Sequence, residues 1–172
     1  MSVVIRGAKR EDCAAIHGLI KELTEFEKYP EGVKTTYEEL ASHGFGSRAF
    51  FYCKVAETTE SNRGETEKKI IGYGLYYFTY LTLEGPTVYL RDLYVASAYR
   101  GKGTGTALFR AVAKAAIEEK CAVMTWRVFD WNKPAIELYQ KLGGSDITKE
   151  EQLRTFCMKG DTLQKVASES AF

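Results

Sequence analysis

The stretch "YRGKGTGTAL" (99–108) sets Gly101, Gly103 and Gly105 at every second position, with Arg100 and Lys102 between and beside them. Glycine adopts φ > 0 freely and lets main-chain N–H groups come close to a ligand. An apolar-periodic run follows, so the turn opens onto a helix N-terminus, which carries a partial positive charge. That combination predicts a phosphate cradle, with Arg100 and Lys102 adding full charges. The spacing is neither a Walker loop nor a G-x-G-x-x-G dinucleotide turn. A flexible glycine loop with incidental basic residues is the competing reading.

Two charged residues, Arg91 and Asp92, lie in the strand that leads into this loop, and Glu27 and Glu84 are further candidates. Strict alternation sends Arg91 and Asp92 to opposite faces. Cys13, Cys53, Cys121 and Cys157 are far apart and make no C-x-x-C pair. The spacing predicts reduced, buried thiols and no zinc site. His17 and His43 are isolated in the same way, and His17 is expected at the surface.

The elements that position these residues follow from periodicity. "VVIR" (3–6) reads as a strand. In 11–28, Ile16, Leu19, Ile20, Leu23 and Phe26 share one helical face. Thr36-x-x-Glu39 is a capping-box pattern opening a short helix that Gly44 closes. Residues 49–57 read as a strand, 58–69 as a polar loop, and 70–83 and 86–95 as strands. Residues 106–120 form a helix with Leu108, Ala111, Val112 and Ala115 inward. Then come a strand at 122–129, a helix at 133–144 with Pro134 near its start, and a closing strand "QLRTFCMKG" before a C-terminal tail from about residue 161. The order is β-α-α-β-β-β-α-β-α-β. It predicts an α+β fold with a mixed sheet in a single domain over 1–172, rather than a doubly wound dinucleotide fold.

The totals are consistent with that. The chain has 172 residues, 24 Lys+Arg against 23 Asp+Glu, and a net charge of +1. Its length is enough for a core without disulfide or metal staples. The charge balance offers no footprint for nucleic acid. "MSVVIRGAKREDC" has neither signal-peptide nor transmembrane character, so a cytoplasmic protein without a membrane partner is expected.

"YRGKGTGTAL" resembles the R/Q-x-x-G-x-G/A loop of the GNAT superfamily of acetyl-CoA-dependent N-acyltransferases, and the element order agrees. Further stretches narrow the resemblance: "LIKELTEFEK", "HGFG", "IGYGLYYFTY", "VYLRDLYV", "DWNKPAIELYQKLGG" and "LRTFCMKG" look like diamine acetyltransferases of the spermidine/spermine N1-acetyltransferase type. "EFEK" and "DWN" lean toward the thialysine-preferring branch. The likeness runs from Val4 to about Leu163.

The resemblance implies the GNAT-type fold, a central mostly antiparallel sheet flanked by helices. It implies that Arg100, Gly101, Lys102, Gly103, Thr104, Gly105 and Thr106 hold the coenzyme A pyrophosphate. Leu93, Tyr94 and Val95 then offer backbone groups to the pantetheine, and Asn132, Pro134 and Lys141 complete the coenzyme side. The acceptor side takes in Phe26, Glu27, Arg91, Asp92 and Trp126. Acyl transfer to an amine needs a group to take the ammonium proton and one to protonate the departing thiolate. Tyr139, in "IELYQKLGG", stands where the family has a tyrosine read as that acid. No metal and no cysteine nucleophile are implied. A homodimer is.

The chain departs from that family at the base. The family strand reads Y-L-E-D, whereas here it reads "YLRD". Arginine has no acceptor and stays charged. It also repels a polycation, by about 4 kcal/mol for a unit charge ~4 Å away at an effective dielectric of ~20. Leu81 and Leu83 stand where the family's polyamine site has an acidic residue and a tryptophan. A bulge in this strand, as the superfamily has, re-aims side chains, so Asp92 is either the surviving base or the salt-bridge partner of Arg91. Arg91 itself either reads a carboxylate on the acceptor or turns away. The expected activity is acetylation of a small amine, either a di- or polyamine or a thialysine-like ω-amino acid. The alternatives are an acetyl-CoA-binding protein with weak transfer and an enzyme acting on protein amines.

Overall fold

The computed structural model describes residues 2–29, 31–62, 65–148 and 157–168. Two compact units divide the chain, Met1–Phe129 and Asp130–Phe172.

The first unit is built on one five-stranded mixed sheet in the order β1-β2-β3-β4-β5. Its strands are β1 (Val3–Gly7), β2 (Tyr52–Asn62), β3 (Glu65–Leu81), β4 (Gly85–Val95) and β5 (Val123–Trp126). The first four are antiparallel, and β5 joins β4 in parallel. A parallel neighbour needs a crossover, which α3 (Thr104–Glu118) supplies. α1 (Cys13–Phe26) and α2 (Tyr37–Phe45) bury Cys13, Ile16, Leu19, Leu23, Leu40 and Ala41 with Cys53, Val55, Tyr73, Leu75 and Tyr94 of the sheet. On the opposite face Leu108 of α3 packs with Ala56, Ile71 and Val95. The α+β expectation with a mixed sheet between helices holds.

Local chemistry sets the boundaries. Thr36 Oγ1 accepts from the Glu39 N–H at 3.2 Å and Glu39 Oε2 accepts from the Thr36 N–H at 2.9 Å, the reciprocal capping box that opens α2. α3 begins at Thr104, two residues earlier than expected, because Gly103 caps it at φ 80°. β5 stops at Trp126 rather than 129.

Three expectations are corrected. Residues 58–62 and 65–69 are strand, not loop: β2 and β3 stay paired from Thr58↔Lys69 to Asn62↔Glu65. Their polar composition hides the strands, because the ladder and the ion pairs of Lys68 with Glu57 (3.2 Å) and Lys69 with Glu60 (4.0 Å) replace an apolar face. His17 is buried, its Nε2–H donating to the Thr35 carbonyl at 2.7 Å. That bond satisfies the ring inside the α1 face, so burial costs little. Cys13, Cys53 and Cys121 are free and buried, but Cys157 is free and exposed, in an irregular segment.

In the second unit, α4 (Lys133–Lys141) is capped by Asn132, whose Oδ1 accepts from the Ala135 N–H at 3.4 Å. It ends at Gly143, with φ 91°. The expected strand at 152–160 falls mostly outside the described residues. α5 (Gly160–Ser168) is helical where a tail was expected.

Candidate active site

The register of β3 against β4 shifts at one place. Leu75 pairs with Asp92 and Tyr76 with Leu90, so Arg91 is the extra residue of a bulge. Its effect on side-chain direction is readable from Gly74, on the α3 face. A Cβ there would lie 3.4 Å from Val112 Cγ2 of α3, 3.7 Å from Leu93 Cδ1 and 3.9 Å from Leu90 Cδ1. Leu90 and Leu93 therefore share the α3 face although they are three residues apart. Parity has slipped by one across Arg91. Asp92 and Tyr94 consequently turn to the α1 face. Strict alternation fails at this position, the bulge that the resemblance implies is present, and it is what presents Asp92.

On the α1 face the Tyr73 hydroxyl donates to Asp92 Oδ2 at 3.4 Å. Glu27, the C-cap of α1, lies within reach of the charges of Asp92 and Arg91. Burial pushes the Asp92 carboxyl above the usual aspartate range, and the Arg91 charge and the Tyr73 hydroxyl pull the other way. Glu27 is raised by burial and then by the charge of Asp92, again opposed by Arg91. Tyr73 is completely buried, and its phenol is held well above its ordinary value by burial and by Asp92. Arg91 is exposed and feels both carboxyls. A half-buried carboxyl with a raised pKa beside a second one is suited to taking a proton from an ammonium.

The β4 edge is open beyond β5. Pairing of β4 with β5 runs from Thr87↔Val123 to Leu90↔Trp126 and ends there, whereas pairing with β3 continues to Val95. Residues 91–95 thus lie past the β5 ladder, leaving a main-chain edge for an extended ligand. Trp126, at the last of those pairs, packs its ring edge-on to Phe109 with centroids 5.1 Å apart.

The glycine turn follows β4 through a 3-10 turn at Ser97–Tyr99. Gly101 (φ 76°) and Gly103 (φ 80°) occupy the left-handed region, which a side chain would strain. Gly105 has no such φ and lies within α3, where a Cβ would meet only Val95 Cγ2 at an ordinary 3.9 Å. Two of the three glycines are therefore conformational. The first N–H groups of α3 have no intrahelical acceptor, and Lys102 is exposed beside them. Thr104 is buried and Thr106 half-buried. The Arg100 side chain turns away from the glycine turn, toward β4 and α1. Its Nε donates to the Val95 carbonyl at 2.8 Å, and its guanidinium lies 5.0 Å from the ring centroids of both Phe26 and Tyr94.

In the second unit, Asn132 caps α4 and Pro134 sits in its first turn. Tyr139 is half-buried on that helix and Lys141 is exposed as its last residue. The Asn132 carbonyl oxygen is committed to the cap, which leaves its amide N–H groups for a ligand.

Sequence reasoning missed Tyr73. Nothing in "IIGYGLYYFTY" separates it from its neighbouring tyrosines, and only the shifted register selects it. The Tyr94 hydroxyl, which donates to Glu22 Oε2 at 3.1 Å, was missed for the same reason.

Residues 16–144 match the family model described as "Acetyltransferase (GNAT) family". The chain is 42% identical over 166 residues to the thialysine N-epsilon-acetyltransferase of Mus musculus, covering 96% of this chain and 98% of that one. Among solved structures, an integron cassette protein from the mobile metagenome of V. cholerae superposes with a TM-score of 0.72 at 24% identity, over 98% of this chain and 99% of that one. AAC(6')-Iy in complex with the bisubstrate analog CoA-S-monomethyl-acetylneamine gives a TM-score of 0.69 at 18% identity, over 91% of this chain and 100% of that one.

Proposed function

The chain belongs to the acetyltransferase (GNAT) family, and from that premise we propose that this N-acetyltransferase acetylates the primary amine of a small acceptor, a thialysine-like ω-amino acid in preference to a di- or polyamine. Acetyl-CoA, when bound, supplies the activated acetyl thioester. The observation that carries the reading is the bulge at Arg91, which brings Asp92 to the face of Glu27 at the mouth of the open β4 edge.

The roles of Tyr139 and of the Leu93–Val95 backbone rest on the family resemblance, and the others on the local chemistry. The α3 N-terminus, Gly101, Gly103 and Lys102 suit a pyrophosphate, with two left-handed glycines where a Cβ would add strain. The backbone of Leu93, Tyr94 and Val95 offers main-chain partners to an extended arm. Asp92 takes the proton from the acceptor ammonium, and Glu27 holds that ammonium. Tyr139 gives a proton to the departing thiolate, as its phenol is a competent donor. Arg91 binds the acceptor's carboxylate. A site with two carboxyls and a guanidinium matches a zwitterion better than a polycation.

Thiol release from acetyl-CoA with thialysine, lysine, spermidine and putrescine in parallel tests this. Thialysine is expected to be taken with the highest kcat/KM. Equal or faster turnover of spermidine would refute the role of Arg91. Silence on all four with the coenzyme bound would refute the activity on small amines. The same reading takes the protein as a cytoplasmic homodimer, on its resemblance to the diamine acetyltransferases. Sedimentation equilibrium of the purified chain is expected to give twice the monomer mass. A monomer would remove that part of the reading.

A further inference from the structure

We infer that Arg100 is a positioning residue that ties the anion loop to the acceptor end of α1 and gives little of its charge to the coenzyme. The inference rests on the reading of the loop and of Glu27 given above.

The geometry is specific. The Arg100 backbone opens the glycine turn, its N–H bonded to the Ser97 carbonyl at 3.3 Å. Its side chain runs back along β4, where Nε donates to the Val95 carbonyl at 2.8 Å. The guanidinium then lies between two rings, 5.0 Å from the centroid of Phe26 and 5.0 Å from that of Tyr94. Both distances fall within the range of cation–π attraction. Phe26 is the last residue of α1, and Glu27 caps it. Tyr94 grips the same helix one turn earlier, through its hydroxyl to Glu22. Arg100 and Tyr94 thus fix the final turn of α1 at two points, and that turn carries the carboxyl that faces Asp92 and Arg91.

A planar guanidinium stacks on two faces and presents an Nε–H at a fixed angle, whereas an ammonium does neither well. The role therefore belongs to arginine as a shape, and a lysine does not replace it. A residue serving only as a cation for the pyrophosphate would accept that replacement. Lys102 is exposed at the α3 N-terminus and supplies a cation to the anion there.

The test pairs Arg100→Lys and Arg100→Met with Lys102→Met in the full chain. It reads the coenzyme A Kd by calorimetry and the acceptor KM with whichever of thialysine and spermidine the wild type acetylates. Both Arg100 variants are expected to raise the acceptor KM about tenfold, the equivalent of about 1.4 kcal/mol, with the coenzyme A Kd changed by less than about threefold. Lys102→Met is expected to do the reverse and to flatten the salt dependence of coenzyme binding. Wild-type acceptor KM in Arg100→Lys would overturn the inference, as would a loss of coenzyme affinity in Arg100→Met equal to that in Lys102→Met. A wild-type chain that fails to bind coenzyme A would instead refute the reading of the loop on which the inference stands.

Discussion

The hydroxyl of Tyr73 donates to Oδ2 of Asp92 at 3.4 Å, from a position with no exposure to solvent. A donor to a carboxylate favours its ionised form, and burial of Asp92 opposes it. Tyr73→Phe removes the donor and keeps the ring, so the Asp92 pKa is expected to rise further. The acid limb of the kcat/KM–pH profile, which reports the base in the free enzyme, should therefore move to higher pH. Profiles of the two proteins check this. An unshifted limb with a lowered plateau would leave Tyr73 a packing residue.

Arg91→Glu reverses the charge at the bulge without touching the core, since Arg91 is exposed. Spermidine kcat/KM is expected to rise and thialysine kcat/KM to fall, by about tenfold each, or ~1.4 kcal/mol. The ratio of the two constants is the measurement. An unchanged ratio would mean that Arg91 does not touch the acceptor.

Tyr139→Phe should lower kcat by about 10²-fold, the usual contribution of a positioned acid or base. The helix should survive, because the Tyr139 main-chain carbonyl, which accepts from the Gly144 N–H at 2.9 Å, is unaffected. Thiol release slowed by that factor with unchanged helical circular dichroism is the expected pair of results. Retained kcat would remove Tyr139 from the chemistry.

Much of the frame was legible in the sequence because period and punctuation carry it. The spacing of Ile16, Leu19 and Leu23 places α1, and Thr36-x-x-Glu39 caps α2. What escaped depends on partners distant in the chain. Residues 58–62 and 65–69 have no apolar alternation, and only their pairing with one another makes them strands. His17 is buried because a carbonyl eighteen residues away accepts its proton. The glycine loop announced itself by composition, but the direction of the Arg100 side chain depends on two rings, one of them on α1. Asp92 was a candidate from its neighbours in sequence. Its face was set by a register shift that alternation does not contain.

Stability offers a test away from the site. Lys120 follows α3 at φ 58°, with its N–H on the Ile117 carbonyl at 3.0 Å and the Cys121 N–H on the Ala116 carbonyl at 2.8 Å. That is a Schellman ending, in which glycine is the usual residue. Lys120→Gly relieves the left-handed strain, and glycine's greater freedom in the unfolded chain offsets part of the gain. A net gain of about 0.5–1 kcal/mol is expected in urea unfolding. A loss of stability would mean that the strain at Lys120 is smaller than the unfolded-state entropy term.

The most direct test of the account is thiol release from acetyl-CoA by the wild type and by Asp92→Asn, with thialysine as acceptor and coenzyme binding measured alongside. The account predicts turnover by the wild type, a fall of about 10²-fold or more in the variant, and coenzyme affinity the same in both. Wild-type turnover in Asp92→Asn would contradict it, because the residue that the Arg91 bulge turns toward Glu27 would then not be the base.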